Sequence, residues 1–402
     1  MTVTNPQQIL VLNAISAVGL QRFPEPQYQV GKVVAQPDAI LVRSQDMHQM
    51  EIAPSVKVVG RAGAGTNNIP VAALTQRGVP VFNTPGANAN AVKELVLVGL
   101  LMAARNVLPA VRFVDALVGD DQSLHEQVES GKKNFAGNEL PGRTLGVIGL
   151  GKVGSLVADA AIKLGMDVLG YDPEITVDAA WSLPAQVRRA HSVEEVLRGS
   201  DFIALHVPLL PATRHLIDAA RAELFKPGAV LLNFSREGIA DNAALLAALS
   251  AQRLRAYVCD FPAAVLQGHP QVLALPHLGA STAEAEDNCA VMVVDQVRDF
   301  LENGNIQNAV NFPNVVMPRE SGYRLAVTHG NVPNMVAQIS SAVARAGLNI
   351  HNMLNKSRGE IAYTLVDVES AATSTLIAEL GAIAGVLAVR DLPPNLAVSF
   401  NR

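Results

Sequence analysis

The chain has 402 residues, 49% of them hydrophobic and only 17% charged, with a net charge of −5. That composition supports two or three domains with sizeable cores and excludes wholesale disorder, and without a basic block nucleic acid is a poor partner. The two cysteines, Cys259 and Cys289, form no metal or redox spacing, so no metal site is expected.

Residues 1–8 lack the charged and apolar regions of a signal peptide. The longest apolar run, Leu95 to Ala104, falls short of the roughly 20 residues a bilayer requires. A soluble, cytoplasmic chain without membrane contact is expected.

Short apolar runs at 9–13, 39–42, 56–59 and 79–82 read as strands of a first α/β domain. Arg43 and Arg61 follow the second and third runs, a glycine-rich loop at Gly63–Gly65 comes next, and Asn83-Thr-Pro-Gly86 closes the fourth. Strand ends are where open α/β sheets place ligands. Val92–Arg105 is a strongly apolar helix, open to two readings, a core helix or a dimerisation face. Lys132-Lys133-Asn-Phe135 is a basic loop.

Leu145–Ile148 has the continuous apolar character of a buried parallel strand, and Gly149, Gly151 and Gly154 follow in G-x-G-x-x-G spacing. The first glycine allows the tight turn, the second lets a pyrophosphate approach the backbone, and the third lets helix and strand pack closely. Asp172 ends the next strand, where a carboxylate accepts from a ribose 2′-OH and repels a 2′-phosphate. NAD is the cofactor this predicts. Strands near 167–171, 202–207, 229–233, 255–259 and 272–275 alternate with helices. Ser192 and Asp241 are expected N-caps, and Ser281-Thr-Ala-Glu284 is expected to open a long helix ending at Asn303-Gly304. A proline-bearing linker spans 312–322, and residues 323–402 read βαββαβ, the ferredoxin-like order. The fold class is therefore α/β, with two doubly wound parallel sheets and a small ferredoxin-like domain.

Three strand ends carry chemistry: Leu205-His206-Val-Pro208, Asn233 to Gly238, and Pro276-His277 to Thr282. The Arg236 guanidinium offers a planar fork for a carboxylate; the plainer reading is a surface pair with Glu237. His277, with an ordinary pKa of about 6.5, suits removal of a hydroxyl proton; the plainer reading is a core histidine. His206 reads as structural.

These motifs, with Val58-Val-Gly-Arg-Ala-Gly63, Phe82-Asn-Thr-Pro85 and Gly149–Gly154, resemble the D-isomer-specific 2-hydroxyacid dehydrogenases, and within them the members that act on D-3-phosphoglycerate. The resemblance implies a substrate domain from 1–86 and 285–312, an NAD domain over 87–284, a linker at 313–321 and an ACT regulatory domain over 322–402. It implies cofactor contacts from Gly149, Gly151, Lys152, Val153, Gly154, Asp172, His206, Pro208, Thr213, Asn233, Asp260 and Gly279. It implies substrate contacts from Arg43, Arg61, Ala62, Gly63, Asn83, Arg236 and His277, with Lys133 (or Lys132) reaching from a neighbouring subunit. The basic residues could instead be solvated surface charges. Arg236 would hold the carboxylate and His277 would move the proton.

The family's orienting glutamate is missing: Ala264 stands in its place. Asp260 is then expected to take over, directly or through water, unless His277 works without a carboxylate. In the ACT unit His329, Asn331 and Asn349 would hold L-serine, although Asn334 stands where glycine usually follows the proline; a purely structural dimerisation domain is the alternative. The implied activity is oxidation of 3-phosphoglycerate to 3-phosphohydroxypyruvate, the first step of phosphorylated L-serine synthesis, by a homodimer or homotetramer. A glycerate or hydroxypyruvate reductase and a non-catalytic NAD sensor are the alternatives.

Overall fold

Five short strands, β1 (Gln7–Val11), β2 (Tyr28–Gly31), β3 (Ala39–Val42), β4 (Val58–Arg61) and β5 (Val81–Phe82), form a parallel sheet in the order β2-β1-β3-β4-β5 in the computed structural model. It describes residues 6–319 and 322–394. The beginning of the N-terminal stretch, the last two residues of the expected linker and the tail of the expected 322–402 domain lie outside the described residues. The chain divides into two units, one ending at Ala87 and resuming at Glu286, the other running Asn88–Ala285.

The first sheet is central to the discontinuous unit. Residues 39–42 are fully buried, as strands covered on both faces must be. β2 was not expected: its sequence, Tyr-Gln-Val-Gly, is mixed because it is an edge strand with a single neighbour.

In the other unit, β6 (Thr144–Ile148), β7 (Asp167–Tyr171), β8 (Val187–Arg189), β9 (Phe202–Leu205), β10 (Ala229–Asn233), β11 (Leu254–Cys259) and β12 (Val272–Ala274) are also parallel, ordered β12-β11-β10-β9-β6-β7-β8. This is the doubly wound dinucleotide order extended by one strand, and the switch point lies between β6 and β9. Ser192 and Asp241 cap their helices, accepting from the backbone N–H of Glu195 and Ala243 at 3.1 and 2.9 Å. The helix Ala89–Arg105 breaks at Asn106, whose φ of 50° is left-handed, and Val107–Asp115 leaves at 67° to it. Val98, Leu101, Val107, Val111 and Val114 on this pair are exposed. Among the described residues no single helix is long and apolar enough to cross a membrane.

The C-terminal strands β13 (Tyr323–Gly330), β14 (Ile350–Arg358), β15 (Ile361–Val368) and β16 (Val386–Leu392) form an antiparallel sheet ordered β14-β15-β13-β16. The helices Met335–Arg345 and Ser374–Ala382 supply Ile339, Ala342, Val343, Leu376 and Leu380 to one core with Leu325, Val327, Val366 and Val368 of this sheet. Its opposite side, through Ala326, Tyr363, Leu365 and Leu392, joins the core of the first sheet across Val293, Val297 and Phe300 of the helix Ala283–Asn303. Thr282, rather than Ser281, accepts the first-turn N–H of that helix, from Ala285.

A helix leaves its last four carbonyls without intrahelical donors. Here the C-terminal domain provides them. Arg390 donates to Phe300 O and Leu301 O and stacks 4.3 Å over the Phe300 ring, Arg324 donates to Asn303 O, and Tyr363 donates to Gly304 O. The segment before the domain adds Arg319 on Glu302 O. Arg324 also forms a fully buried pair with Asp367 at 2.5 Å. The residues expected as a linker are packed as well: Phe312, Val315 and Met317 are buried in the same core, and Val315 bridges Ile306.

Candidate active site

The glycine loop is built as its spacing demands. Gly149 has φ +92°, and a side chain there would meet the His206 carbonyl at 2.6 Å. A Cβ on Gly154 would lie 1.9 Å from the Gly149 carbonyl oxygen, so the helix Lys152–Lys163 sits hard against the loop. At Gly151, which caps that helix, a Cβ would meet nothing within 4 Å. The protein's own packing thus leaves the second glycine free while requiring the other two. Gly151 offers no side-chain cap, which leaves the helix N-terminus uncapped beside that open space, as suits a pyrophosphate. Lys152 is exposed and Val153 half-buried beside it.

Asp172 accepts the Leu150 N–H at 2.9 Å and the Glu174 N–H at 3.0 Å, tying the end of β7 to the glycine loop. It borders a cavity of about 500 Å³ lined also by Tyr171, Ile175, Leu183, Arg189 and His191, large enough for a flat heterocycle. Arg189 and His191 were missed in the sequence because β8 was. His206 leaves its Nε2 buried without a hydrogen-bond partner among the described residues, and desolvation pushes its pKa down to about 4. An orphaned ring nitrogen beside an open glycine cradle fits a bound dinucleotide. Thr213 closes the neighbouring loop by donating to Pro208 O and accepting from Leu210 N–H.

At the ends of β10 and β11 the same sheet presents Arg236, Asp260 and, after β12, His277. Asn233 is fully buried, and its amide donates to Arg236 O at 3.0 Å and to the Tyr257 hydroxyl at 3.3 Å. Its side chain therefore braces the loop that carries Arg236. Ser235, also missed, pins the loop to Leu205 O at 2.6 Å. The Arg236 side chain is exposed, with Nη1 on Ser235 O.

Asp260 is buried, and its two oxygens accept the backbone N–H groups of Leu278 and Gly279, each at 2.7 Å. The carboxylate thus holds the chain just after His277, and no bond joins it to the imidazole among the described residues. His277 itself is exposed, lies at φ +58°, packs its ring edge against Phe261 at 5.0 Å, and has no hydrogen-bond partner among the described residues. Ala264 is exposed in a short 3₁₀ turn, Ala264–Leu266.

In the discontinuous unit, the ends of β3, β4 and β5 gather Arg43, Arg61 and Asn83. Arg61 donates from Nε to Arg43 O at 3.1 Å, and a side chain on Gly63 would lie 1.8 Å from Arg61 Nη1, so the guanidinium folds over that glycine. Ala62 is buried and bonded to Val42 O, and Asn83 donates to Ala64 O at 2.6 Å. Arg43 pairs with Glu286 at 2.7 Å, a partner that sequence reasoning missed although a carboxylate in a helix's first turns is a common arginine acceptor. Lys132 is paired to Glu129, while Lys133 is exposed. Among the described residues no group of three or more His, Cys, Asp or Glu could hold a metal.

The three expected effector contacts each have hydrogen bonds within the C-terminal domain. His329 is 2% exposed, with Nδ1 on Gly330 O at 2.8 Å and Nε2 on Thr364 Oγ1 at 2.9 Å. Both ring nitrogens are hydrogen-bonded inside the domain. Asn331 donates to Gly359 O, and Asn349 to Glu369. Asn334 takes φ +70°, occupying the left-handed position that the sequence comparison with glycine anticipated.

Residues 101–279 match the family described as "D-isomer specific 2-hydroxyacid dehydrogenase, NAD binding domain". The chain is 34% identical over 355 residues to the D-3-phosphoglycerate dehydrogenase of Haemophilus influenzae, covering 85% of this chain and 83% of that protein. It is 32% identical to that of Escherichia coli, covering 79% of this chain and 76% of that one. It spans about half (52%) of a longer relative from Methanocaldococcus jannaschii, at 37% identity. An NAD+-bound 3-phosphoglycerate dehydrogenase of Entamoeba histolytica is similar in structure, with a TM-score of 0.59, 25% identity, and 76% of this chain and 98% of that one covered. With the open glycine cradle and the Arg236 and His277 strand ends, these likenesses agree: the chain belongs to the D-isomer-specific 2-hydroxyacid dehydrogenases, NAD-dependent oxidoreductases.

Proposed function

We propose that this enzyme oxidises D-3-phosphoglycerate to 3-phosphohydroxypyruvate, the first step of phosphorylated L-serine synthesis, in the cytoplasm. The observation that carries the reading is the convergence of exposed Arg236 and exposed His277 on the edge of the sheet that holds the glycine cradle. The names of the relatives support the substrate.

In this reading Arg236 binds the carboxylate through its planar fork and polarises C2. His277 takes the C2 hydroxyl proton as the alcohol becomes a ketone. NAD, when bound, accepts the C2 hydrogen with its electron pair. Asp260 holds Leu278 and Gly279 so that His277 is aimed without a carboxylate on its ring. Arg61 and Arg43 recognise the phosphate, with Lys133 of a second copy as a further cation. The exposed apolar stripe from Val98 to Val114 is where that copy docks, giving a homodimer or homotetramer. L-serine restrains the enzyme through the C-terminal domain, held by His329, Asn331 and Asn349.

The Arg43–Glu286 pair favours a second reading, because a neutralised arginine attracts a phosphate less. That reading is a glycerate or hydroxypyruvate reductase. The test is NADH formation with 3-phosphoglycerate, D-glycerate and D-lactate, each with and without L-serine. Turnover of the phosphorylated acid, slowed by L-serine, is expected. Turnover of unphosphorylated acids alone supports the reductase, and none at all supports a sensor.

A further inference from the structure

We propose that the cleft between the end of β14 and residues 308–314 is an anion-binding site, taking a small multivalent oxyanion such as a phosphorylated or polycarboxylate metabolite. The cleft holds about 730 Å³ and lies within the discontinuous unit. Its charged lining residues are Lys356 and Arg358, and no Asp or Glu lines it among the described residues. Asn83, Asn308, Asn314 and Asn355 add amides.

Asn83 spends its amide on Ala64 O, but donors on β14 remain available. Lys356 has no hydrogen-bond or ion-pair partner among the described residues. Arg358 uses only Nη1, on Ala309 O at 3.0 Å and Phe312 O at 3.4 Å, which fixes its guanidinium against the cleft wall. Asn355 accepts from Thr364 through Oδ1, leaving its NH₂ group to donate. Two cations with amide donors and no acid are the surroundings an oxyanion requires, through charge-assisted hydrogen bonds.

The wall opposite Lys356 is built to feel occupancy. Asn308 sits at φ +60°, held by Asn314 Oδ1 at 2.9 Å, and its carbonyl accepts the Asn83 N–H at 3.2 Å. Asn83 in turn donates to Ala64 O, in the loop that follows Arg61. An anion that draws in Asn308 therefore moves a backbone bonded to Asn83. Only this coupling rests on the proposed function; the binding itself does not.

The test is calorimetric titration of inorganic phosphate, and separately of succinate, into the full chain at fixed ionic strength. The wild type is compared with Lys356→Ala and Lys356→Glu. Lys356 is exposed and unpartnered, so both variants are expected to keep the wild-type thermal midpoint and NAD binding. The expected result is loss of one equivalent of bound anion in Lys356→Glu and at least about tenfold weaker binding in Lys356→Ala. The anion with the larger response distinguishes a phosphate from a carboxylate ligand. Isotherms that superimpose on wild type, or a wild type that binds neither anion at millimolar concentration, overturn the proposal and leave Lys356 as a charge that guards an edge strand. Should Lys356→Glu fail to fold, the Lys356→Ala isotherm decides. Turnover enters only afterwards: phosphate should raise the KM for 3-phosphoglycerate more in wild type than in Lys356→Glu, where only competition at Arg61 and Arg43 remains. An inactive enzyme would sink the proposed reaction and leave the binding result standing.

Discussion

At His277 the backbone is left-handed, φ +58°, a conformation that costs a non-glycine residue energy unless its surroundings enforce it. The enforcement is visible in Asp260, which grips the next two N–H groups. Asp260→Asn replaces a charged acceptor pair with one oxygen and one amide nitrogen that faces an N–H. A loss of about 2–3 kcal/mol of stability is expected from the hydrogen bonds, with a fall in kcat on the order of a hundredfold from a misaimed imidazole. The pH–rate profile separates the roles: a positioning Asp260 lowers the curve without moving its limbs, whereas a direct carboxylate partner would move them.

His206 gives a second residue-level expectation. Its folded pKa, about 4, lies below its ordinary 6.5, so the unfolded chain binds the proton first. Stability is then whole above pH 6.5 and declines as pH falls toward 4, by up to about 3 kcal/mol. Thermal midpoints of wild type and His206→Gln between pH 7 and 4 should converge as pH drops; parallel curves would contradict the burial argument. Arg236 and His277 were legible in the sequence as strand-end residues. The clamp on Asp260 was not, because it depends on a turn geometry that only the folded chain displays.

The glycine loop separates packing from binding at the level of an element. Gly151→Ala meets no protein atom within 4 Å, so its thermal midpoint should hold while NAD affinity falls at least about tenfold. Gly154→Ala would place a methyl 1.9 Å from a carbonyl oxygen and should cost about 3 kcal/mol of stability. Thermal melts with NAD fluorescence titrations check both. Equal effects of the two substitutions on stability would contradict the assignment of Gly151 to the cofactor. Most strands were legible because buried parallel strands are continuous apolar runs. β2 and β8 were not, since edge strands such as Val187-Arg-Arg189 need only one apolar side. The helix end at Arg105 was legible, but the further helix Val107–Asp115 beyond Asn106 was not.

On the scale of the whole molecule, the C-terminal domain shares a core with the first sheet and supplies donors to the carbonyls that end the helix Ala283–Asn303. The sequence showed the βαββαβ order and a proline-bearing linker, but arginines that meet their carbonyls only after folding leave no periodic signal. Asp367→Ala strands Arg324 without its carboxylate partner and should cost about 3–5 kcal/mol. One cooperative melt that shifts as a unit is expected; a small separate transition for the C-terminal domain would contradict the shared core. The same helix carries Glu286 against Arg43, so its placement bears on the proposed phosphate recognition. The most direct test of the account is therefore kcat/KM for 3-phosphoglycerate relative to D-glycerate, measured with NAD in wild type and Arg61→Ala. The account predicts a large preference for the phosphorylated acid that collapses in the variant, with D-glycerate little changed. A wild type that prefers D-glycerate, or a preference untouched by the loss of Arg61, would contradict it.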